Sequence, residues 1–355
     1  MGSRSWCSSP RWGTATERGD TLTSLVSVLL PARNAAGTLG LALASLLEQT
    51  HEELEILVVD DGSTDRTRQV AEEAARRDTR IRVLRGRGEG IVPSLEQARE
   101  QATGEYLARM DADDVALPRR IAAQVALLGT APRAAVCGAG VRYVPEGRVG
   151  GGARRYQRWL NDLDTSAQLV RDRFIECPLA HPTWLMRPEA LDMVGGYRDE
   201  GWPEDYDLLL RLVEAGWGLA KVPDVLLLWR EGDGRLSRND PRYSAAAFAG
   251  CRAHYLARAY LDHDGVVIWG AGPTGKAFSR SWRRQGGVVR AFVELDPRKI
   301  RQEIHGAPVV PPEELEDFSG SLGVAAVGRD GARENVRRGF REQGWEEGED
   351  FVVVA

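Results

Sequence analysis

The chain has 355 residues, with 47 Lys and Arg against 52 Asp and Glu, a formal net charge of −5. At about 150 residues per domain this length predicts two folding units and a sizeable core, and the lack of excess positive charge excludes a nucleic-acid backbone as the expected partner. With 43% hydrophobic and 28% charged residues, the composition is that of a globular protein rather than a disordered or fibrous one. The four cysteines, Cys7, Cys137, Cys177 and Cys251, are scattered without the close spacing of a metal finger or redox motif, which suits a reducing cytoplasm. The longest apolar stretches, Leu25 to Leu30 and Val222 to Trp229, fall well short of the roughly 20 residues that span a bilayer. Residues 1–23 carry arginines but no apolar run, so they read as a disordered tail and not as a secretory signal. The expected location is cytoplasmic, with peripheral contact at the inner face of a membrane left open.

From Leu25 to Met110 short apolar runs alternate with helical patterns. Leu25–Leu30, Glu55–Val59, Ile81–Leu84 and Glu105–Met110 read as strands, apolar on successive residues as parallel strands covered on both faces are. The expectation is an α/β fold with an open, doubly wound, mostly parallel sheet, in which ligands bind beyond the carboxyl ends of the strands. Gly147 to Gly152 reads as a loop, followed by a helix from Tyr156 to Arg173 and another from Asp205 to Ala215. The Ala-rich stretch of residues 244–263 reads as a helical linker between a large unit, 24–243, and a small Rossmann-like α/β unit, 264–355, which opens with the strand Val266 to Trp269.

The residues just past each strand carry the candidate chemistry. The first strand ends in Pro31-Ala32-Arg33-Asn34, where Pro31, lacking an amide hydrogen, is expected to stop the ladder. After the second come Asp60 and Asp61, then Gly62 to Asp65, which have the residue types of a tight turn and helix cap. Two adjacent carboxylates cost energy unless a donor or cation meets them, and a nucleobase imide with ribose hydroxyls would do so. After the fourth, Asp111-Ala112-Asp113 places two carboxylates at i and i+2, on one side of an extended segment. Hard oxygen donors on a short open arc suit Mg²⁺ or Mn²⁺ completed by substrate phosphates. Glu204 and Asp205 open a helix, where acids also complement the helix dipole; across a cleft from the metal site, Asp205 is the preferred general base and Glu204 the reserve.

Taken together, Val26 to Asn34, Leu46-Leu47-Glu48-Gln49-Thr50, Val58 to Asp65, Gly104-Glu105-Tyr106 leading to Met110-Asp111-Ala112-Asp113-Asp114, then His181-Pro182-Thr183, Gly195-Gly196-Tyr197 and Glu204-Asp205 resemble a family 2 glycosyltransferase of the GT-A fold with an appended Rossmann-like domain. The resemblance implies inverting transfer of a sugar from a nucleotide-diphosphate sugar, usually a uridine diphosphate sugar, to an acceptor hydroxyl on a glycan, lipid or protein. It implies that Pro31 and Arg33 flank the base, that Asp61 with Asp60 holds the nucleoside, and that Asp111 and Asp113 sit at the ribose, diphosphate and metal. His181 and Trp202 are then candidates for the acceptor side, and Arg235 for neutralising phosphate charge. Two positions depart from the pattern: Arg33 stands where an aromatic residue is common, and Glu96 where an Asn is common.

In the small unit, Gly270-Ala271-Gly272-Pro273-Thr274-Gly275 follows a strand, and Glu294 and Asp296 come about 20 residues later, as in a dinucleotide-binding turn. Gly270, Gly272 and Gly275 are therefore a candidate nucleotide turn, although about 90 residues are too few for a two-halved dinucleotide domain. Against the transferase stand two alternatives: an oxidoreductase built on this turn, and a protein that binds a nucleotide sugar without turning it over.

Overall fold

The computed structural model describes residues 24–232, 234–260, 262–328 and 331–355; the expected tail and Cys7 lie outside the described residues. β1 (Val26–Ala32), α1 (Leu39–Leu47), β2 (Leu54–Asp60), α2 (Thr67–Arg77), β3 (Ile81–Arg85), α3 (Ile91–Gln101) and β4 (Tyr106–Arg109) follow the predicted rhythm. Next come β5 (Val115–Ala116), α4 (Arg120–Thr130), β6 (Ala134–Val144), α5 (Gly151–Asp162), α6 (Ser166–Arg171), β7 (Leu185–Met186), α7 (Pro188–Val194), α8 (Glu204–Glu214), β8 (Gly218–Arg230) and α9 (Leu236–Asn239). Their strands form one sheet in the order β3-β2-β1-β4-β7-β6-β8-β5. It is parallel from β3 to β4 and between β6 and β8, with β7 and β5 antiparallel to their neighbours.

After α10 (Ala245–Ala259) the chain forms β9 (Val266–Trp269), α11 (Pro273–Arg284), β10 (Val289–Val293), β11 (Glu303–Ile304), β12 (Ala307–Val310), β13 (Leu322–Ala325), α12 (Ala332–Glu342) and β14 (Phe351–Val353). This second sheet runs β11-β12-β10-β9-β13-β14 and is parallel apart from β11.

Burial on both faces accounts for the unbroken apolar runs. Val28 and Leu30 of β1 with Ile56 and Val58 of β2 enter one apolar cluster, while Leu29, Leu57 and Val59 enter another on the opposite face, the two-residue alternation of a strand. The second cluster continues through Leu208 and Leu212 of α8 and Tyr255 and Leu256 of α10 to Val266 and Ile268 of the small sheet. Among the described residues no helix is long and apolar enough to cross a membrane.

Three local expectations need correction. Pro31 does not stop its strand: β1 pairs with β2 through Ala32, opposite Asp60. The carbonyl of Leu29 accepts from Met110 and that of Ala32 from Asp61, so Pro31, two residues after Leu29, turns its nitrogen toward the β4 side, where the β1–β4 ladder has already ended at Leu29. The missing N–H therefore leaves no gap. Gly147 to Gly152 is not one loop, because α5 begins at Gly151; first-turn amides have no intrahelical partner in any case. The helix expected from Tyr156 to Arg173 is broken. Lys221 donates to the carbonyls of Leu160, Asn161 and Leu163 at 2.6, 3.0 and 2.5 Å, which ends α5, and Thr165 with Gln168 forms a capping box that starts α6.

Candidate active site

A cleft of about 880 Å³ opens beyond the carboxyl end of β1 and β4. Pro31, Arg33, Asp61, Asp111, Asp113, His181, Glu204, Asp205 and Arg235 all line it, as do Arg109, Tyr143, Glu176, Trp229 and Tyr243. The two acidic groups, Asp111 with Asp113 and Glu204 with Asp205, are more than 90 residues apart in sequence and share one cavity.

β4 ends at Arg109, so Asp111 and Asp113 lie in a turn and not in the extended segment whose alternation was expected to align them. They converge nonetheless, together with Asp114: one carboxylate oxygen from each of the three lies within 4.8 Å of the others. Asp114 is buried; its Oδ1 accepts the Arg230 backbone N–H at 2.8 Å, while its Oδ2 has no hydrogen-bond partner among the described residues. Burial and the neighbouring Asp111 charge push the Asp113 carboxyl up to about 6, and burial with the Asp111 and Asp113 charges pushes Asp114 well above the ordinary carboxylate range. An orphaned buried oxygen and three crowded carboxylates make an all-oxygen donor set, whose chemistry fits Mg²⁺ or Mn²⁺. Arg109, almost wholly buried, pairs with Asp111; burial works to lower its guanidinium, yet the facing Asp111 carboxylate holds it above its usual range.

Across the cleft, α8 presents Glu204 and Asp205. Glu204 is buried and engaged: the Tyr243 hydroxyl donates to it at 2.6 Å and His181 Nδ1 stands 3.7 Å away. Among the described residues Asp205 accepts only the N–H of Tyr206, at 2.7 Å on Oδ1, and it lines the cleft. Burial and the Glu204 charge raise the Asp205 carboxyl to about 8, against the opposing pull of Arg109. Burial also raises Glu204. His181 is held well below its ordinary value by burial and by Arg109, and its Nε2 shares a 2.8 Å hydrogen bond with the Tyr197 hydroxyl. Tyr197 is fixed in turn through its N–H, 2.7 Å from Glu96 Oε1; the unusual residue at position 96 ties α3 to the Gly196 turn.

At the other end, the Asp61 carboxylate accepts three backbone N–H groups, from Gly88, Glu89 and Gly90, at 2.8, 3.1 and 2.9 Å, with Arg33 at 3.6 Å. The chain itself supplies the donors that two adjacent carboxylates demand. Asp60 accepts from the Ser63 N–H at 3.3 Å and does not line the cleft. Asn34, Ser63, Asp65 and Thr67 cross-link the loops after β1 and β2, in line with the turn chemistry read at Gly62 to Asp65. Trp202 also faces away from the cleft: its Nε1 donates to Asp207 at 2.9 Å and its ring packs against His254. Arg235 lies 4.5 Å over the Trp229 ring, itself stacked on Tyr143, within electrostatic reach of Asp111 and Asp113.

Sequence reading missed Arg109, Asp114, Glu176 and Tyr243. The first two stood inside the acidic motif; the others carry no local signal, because only tertiary packing brings them to the cleft. In the small unit Gly270 has φ +123°, and a Cβ on Gly275 would lie 1.9 Å from the Gly270 carbonyl oxygen. Gly275 thus permits close packing of α11 on β9, and no glycine of this turn lines the cleft.

Residues 27–195 match the family described as Glycosyl transferase family 2. The putative glycosyltransferase EpsE of Bacillus subtilis is 31% identical over 224 residues, covering 62% of this chain and 77% of the relative. The chain belongs to glycosyl transferase family 2. This family 2 protein is accordingly a nucleotide-sugar-dependent glycosyltransferase. The UDP-Glc:alpha-D-GlcNAc-diphosphoundecaprenol beta-1,3-glucosyltransferase WfgD of Escherichia coli is 32% identical over 105 residues, 29% of this chain and 41% of that one. The crystal structure of S. aureus TarS 1–349 with UDP-GlcNAc has a TM-score of 0.52 at 18% identity, covering 66% of each chain. That likeness establishes the GT-A fold.

Proposed function

We propose that this family 2 enzyme transfers a sugar, with inversion, from a uridine diphosphate sugar to a hydroxyl of a glycan, lipid or protein acceptor. The observation that carries the reading is the shared cleft: the Asp111–Asp113–Asp114 cluster at one wall, Asp205 at the other, and Arg109 within electrostatic reach of both.

Asp205 takes the proton from the attacking hydroxyl as its oxygen bonds to the anomeric carbon, on the face opposite the diphosphate. The anomeric C–O bond breaks and the nucleoside diphosphate departs with that bonding pair. One base and no covalent intermediate give inversion. Asp111, Asp113 and Asp114 would hold a divalent ion, which supplies Lewis-acid stabilisation to the leaving diphosphate when bound. Arg235 neutralises phosphate charge from beside the acidic cluster, and Pro31 and Arg33 flank the base beside the Asp61-ordered loop. Glu204, already bonded to Tyr243, orients α8 and keeps the Asp205 carboxyl basic. The boundaries 24–243, 244–263 and 264–355 are proposed as the working domain division, and Gly270 to Gly275 as a structural turn. UDP-linkage draws support from WfgD, a UDP-Glc-dependent glucosyltransferase, and from TarS, whose structure holds UDP-GlcNAc.

Thermal shift tests the reading. UDP with Mn²⁺ stabilises the wild type more than UDP alone, nicotinamide dinucleotides do not stabilise it, Asp113→Ala abolishes the metal-dependent increment, and Asp205→Asn retains it while losing turnover. Stabilisation by a nicotinamide dinucleotide, or normal transfer by Asp205→Asn, would overturn it.

A further inference from the structure

The segment of residues 172–177 has one end in the second unit and the other in the cleft. Asp172 meets Arg337 of α12 at 2.5 Å, with side-chain exposures of 3% and 4%. Arg337 also donates to Glu347 at 2.9 Å. Ile175 is buried in the apolar cluster of the small sheet, among Val267, Trp269 and Phe340. The next two residues, Glu176 and Cys177, line the cleft.

Donors from three further elements pin the main chain of this segment. The Tyr206 hydroxyl of α8 reaches the Arg173 carbonyl at 2.7 Å, Arg252 of α10 the Ile175 carbonyl at 2.7 Å, and the Tyr156 hydroxyl of α5 the Cys177 carbonyl at 2.9 Å. α8 is itself tied to α10, since Asp207 accepts from the Tyr255 hydroxyl at 2.7 Å. A carboxylate is thus built into the wall beside Asp205 and held from behind by the second unit.

Glu176 stands within electrostatic reach of Asp205 and of Arg252. Its sole hydrogen bond among the described residues comes from the adjacent Cys177 N–H, at 3.1 Å, to Oε1. The second oxygen is open, and a carboxylate there accepts hydroxyl hydrogens.

Building on the transferase reading above, we infer that Glu176 binds a hydroxyl of a polyhydroxylated acceptor next to the one Asp205 deprotonates, and that Arg337 is the positioning residue through which the C-terminal unit holds this acceptor wall.

The test uses the full chain with UDP-GlcNAc as donor and octyl β-D-glucoside or octyl N-acetyl-β-D-glucosaminide as acceptor probe, following UDP release. Glu176→Gln raises the probe KM at least fivefold and changes the KM for UDP-GlcNAc less than twofold. The paired variant Asp172→Asn/Arg337→Met removes both charges together, so neither is left buried alone; it gives the same KM split and faster amide exchange at 172–177. Glu176→Asp recovers part of the loss. An unchanged probe KM in Glu176→Gln, a matching rise in donor KM, or unaltered exchange in the paired variant would overturn the inference. A wild type that turns over neither probe counts against the transferase reading instead, and the exchange measurement alone then decides this one.

Discussion

The pH dependence of transfer follows from where Asp205 sits. Burial and the neighbouring Glu204 charge raise its carboxyl to about 8, so a base that must be ionised is about one tenth competent at pH 7 and about nine tenths competent at pH 9. With saturating Mg²⁺, kcat/KM should therefore rise roughly tenfold between these values, along a limb that has unit slope below about pH 7 and levels off above pH 8. Glu204→Gln separates the two causes of the shift. The amide oxygen still accepts from the Tyr243 hydroxyl, as Glu204 does at 2.6 Å, but the like charge beside Asp205 is gone and burial alone remains. The limb then moves to lower pH, and the variant retains a larger share of its own maximum at pH 7 than the wild type does. Initial rates of UDP release at constant ionic strength from pH 5.5 to 9.5 read both limbs. A wild-type profile flat from pH 7 to 9, or a limb that Glu204→Gln leaves in place, would refute the reasoning; because the two carboxyls interact, each limb belongs to the pair.

Other consequences are open to direct measurement. Asp205→Asn lowers kcat by about 10²–10⁴-fold, the range lost with a general base, and raises Tm. The folded carboxyl binds its proton more tightly than the unfolded chain does from about pH 4 to pH 8, so wild-type stability falls as pH rises through that window and the Tm gain of Asp205→Asn is larger at pH 8.5 than at pH 5. Asp61→Asn removes the charge behind three backbone hydrogen bonds to residues 88–90; we expect a loss of about 1–3 kcal/mol in urea unfolding and faster amide exchange in that loop. Chelation with EDTA abolishes transfer and added Mn²⁺ or Mg²⁺ restores it, whereas Asp114→Asn requires more metal for half-maximal rate. Arg235→Ala raises the donor KM with little change in the fold, judged by circular dichroism.

The parallel core was legible because both faces of β1 and β2 are covered, which writes unbroken apolar runs into the chain. The acidic pair Asp111 and Asp113 was legible as well, although the reason was not: the turn after β4, and not strand alternation, gathers them, and it draws in Asp114. Asp60 and Trp202 lie outside the cleft lining because adjacency in sequence says nothing about which way a side chain turns; each is hydrogen-bonded to a neighbour, Ser63 or Asp207. Glu176 and Tyr243 lie in segments without a motif and reach the cleft only through contacts with α8, α10 and the second sheet. Pro31 was misjudged because the ladder it was expected to interrupt ends two residues earlier on that side.

The anomeric configuration of the product tests the central claim most directly, because a single base facing a departing diphosphate across one cleft permits only one stereochemical course. Proton NMR of the disaccharide formed from an α-linked UDP-sugar should show a β-linked product from the first turnover. An α-linked product would contradict the account.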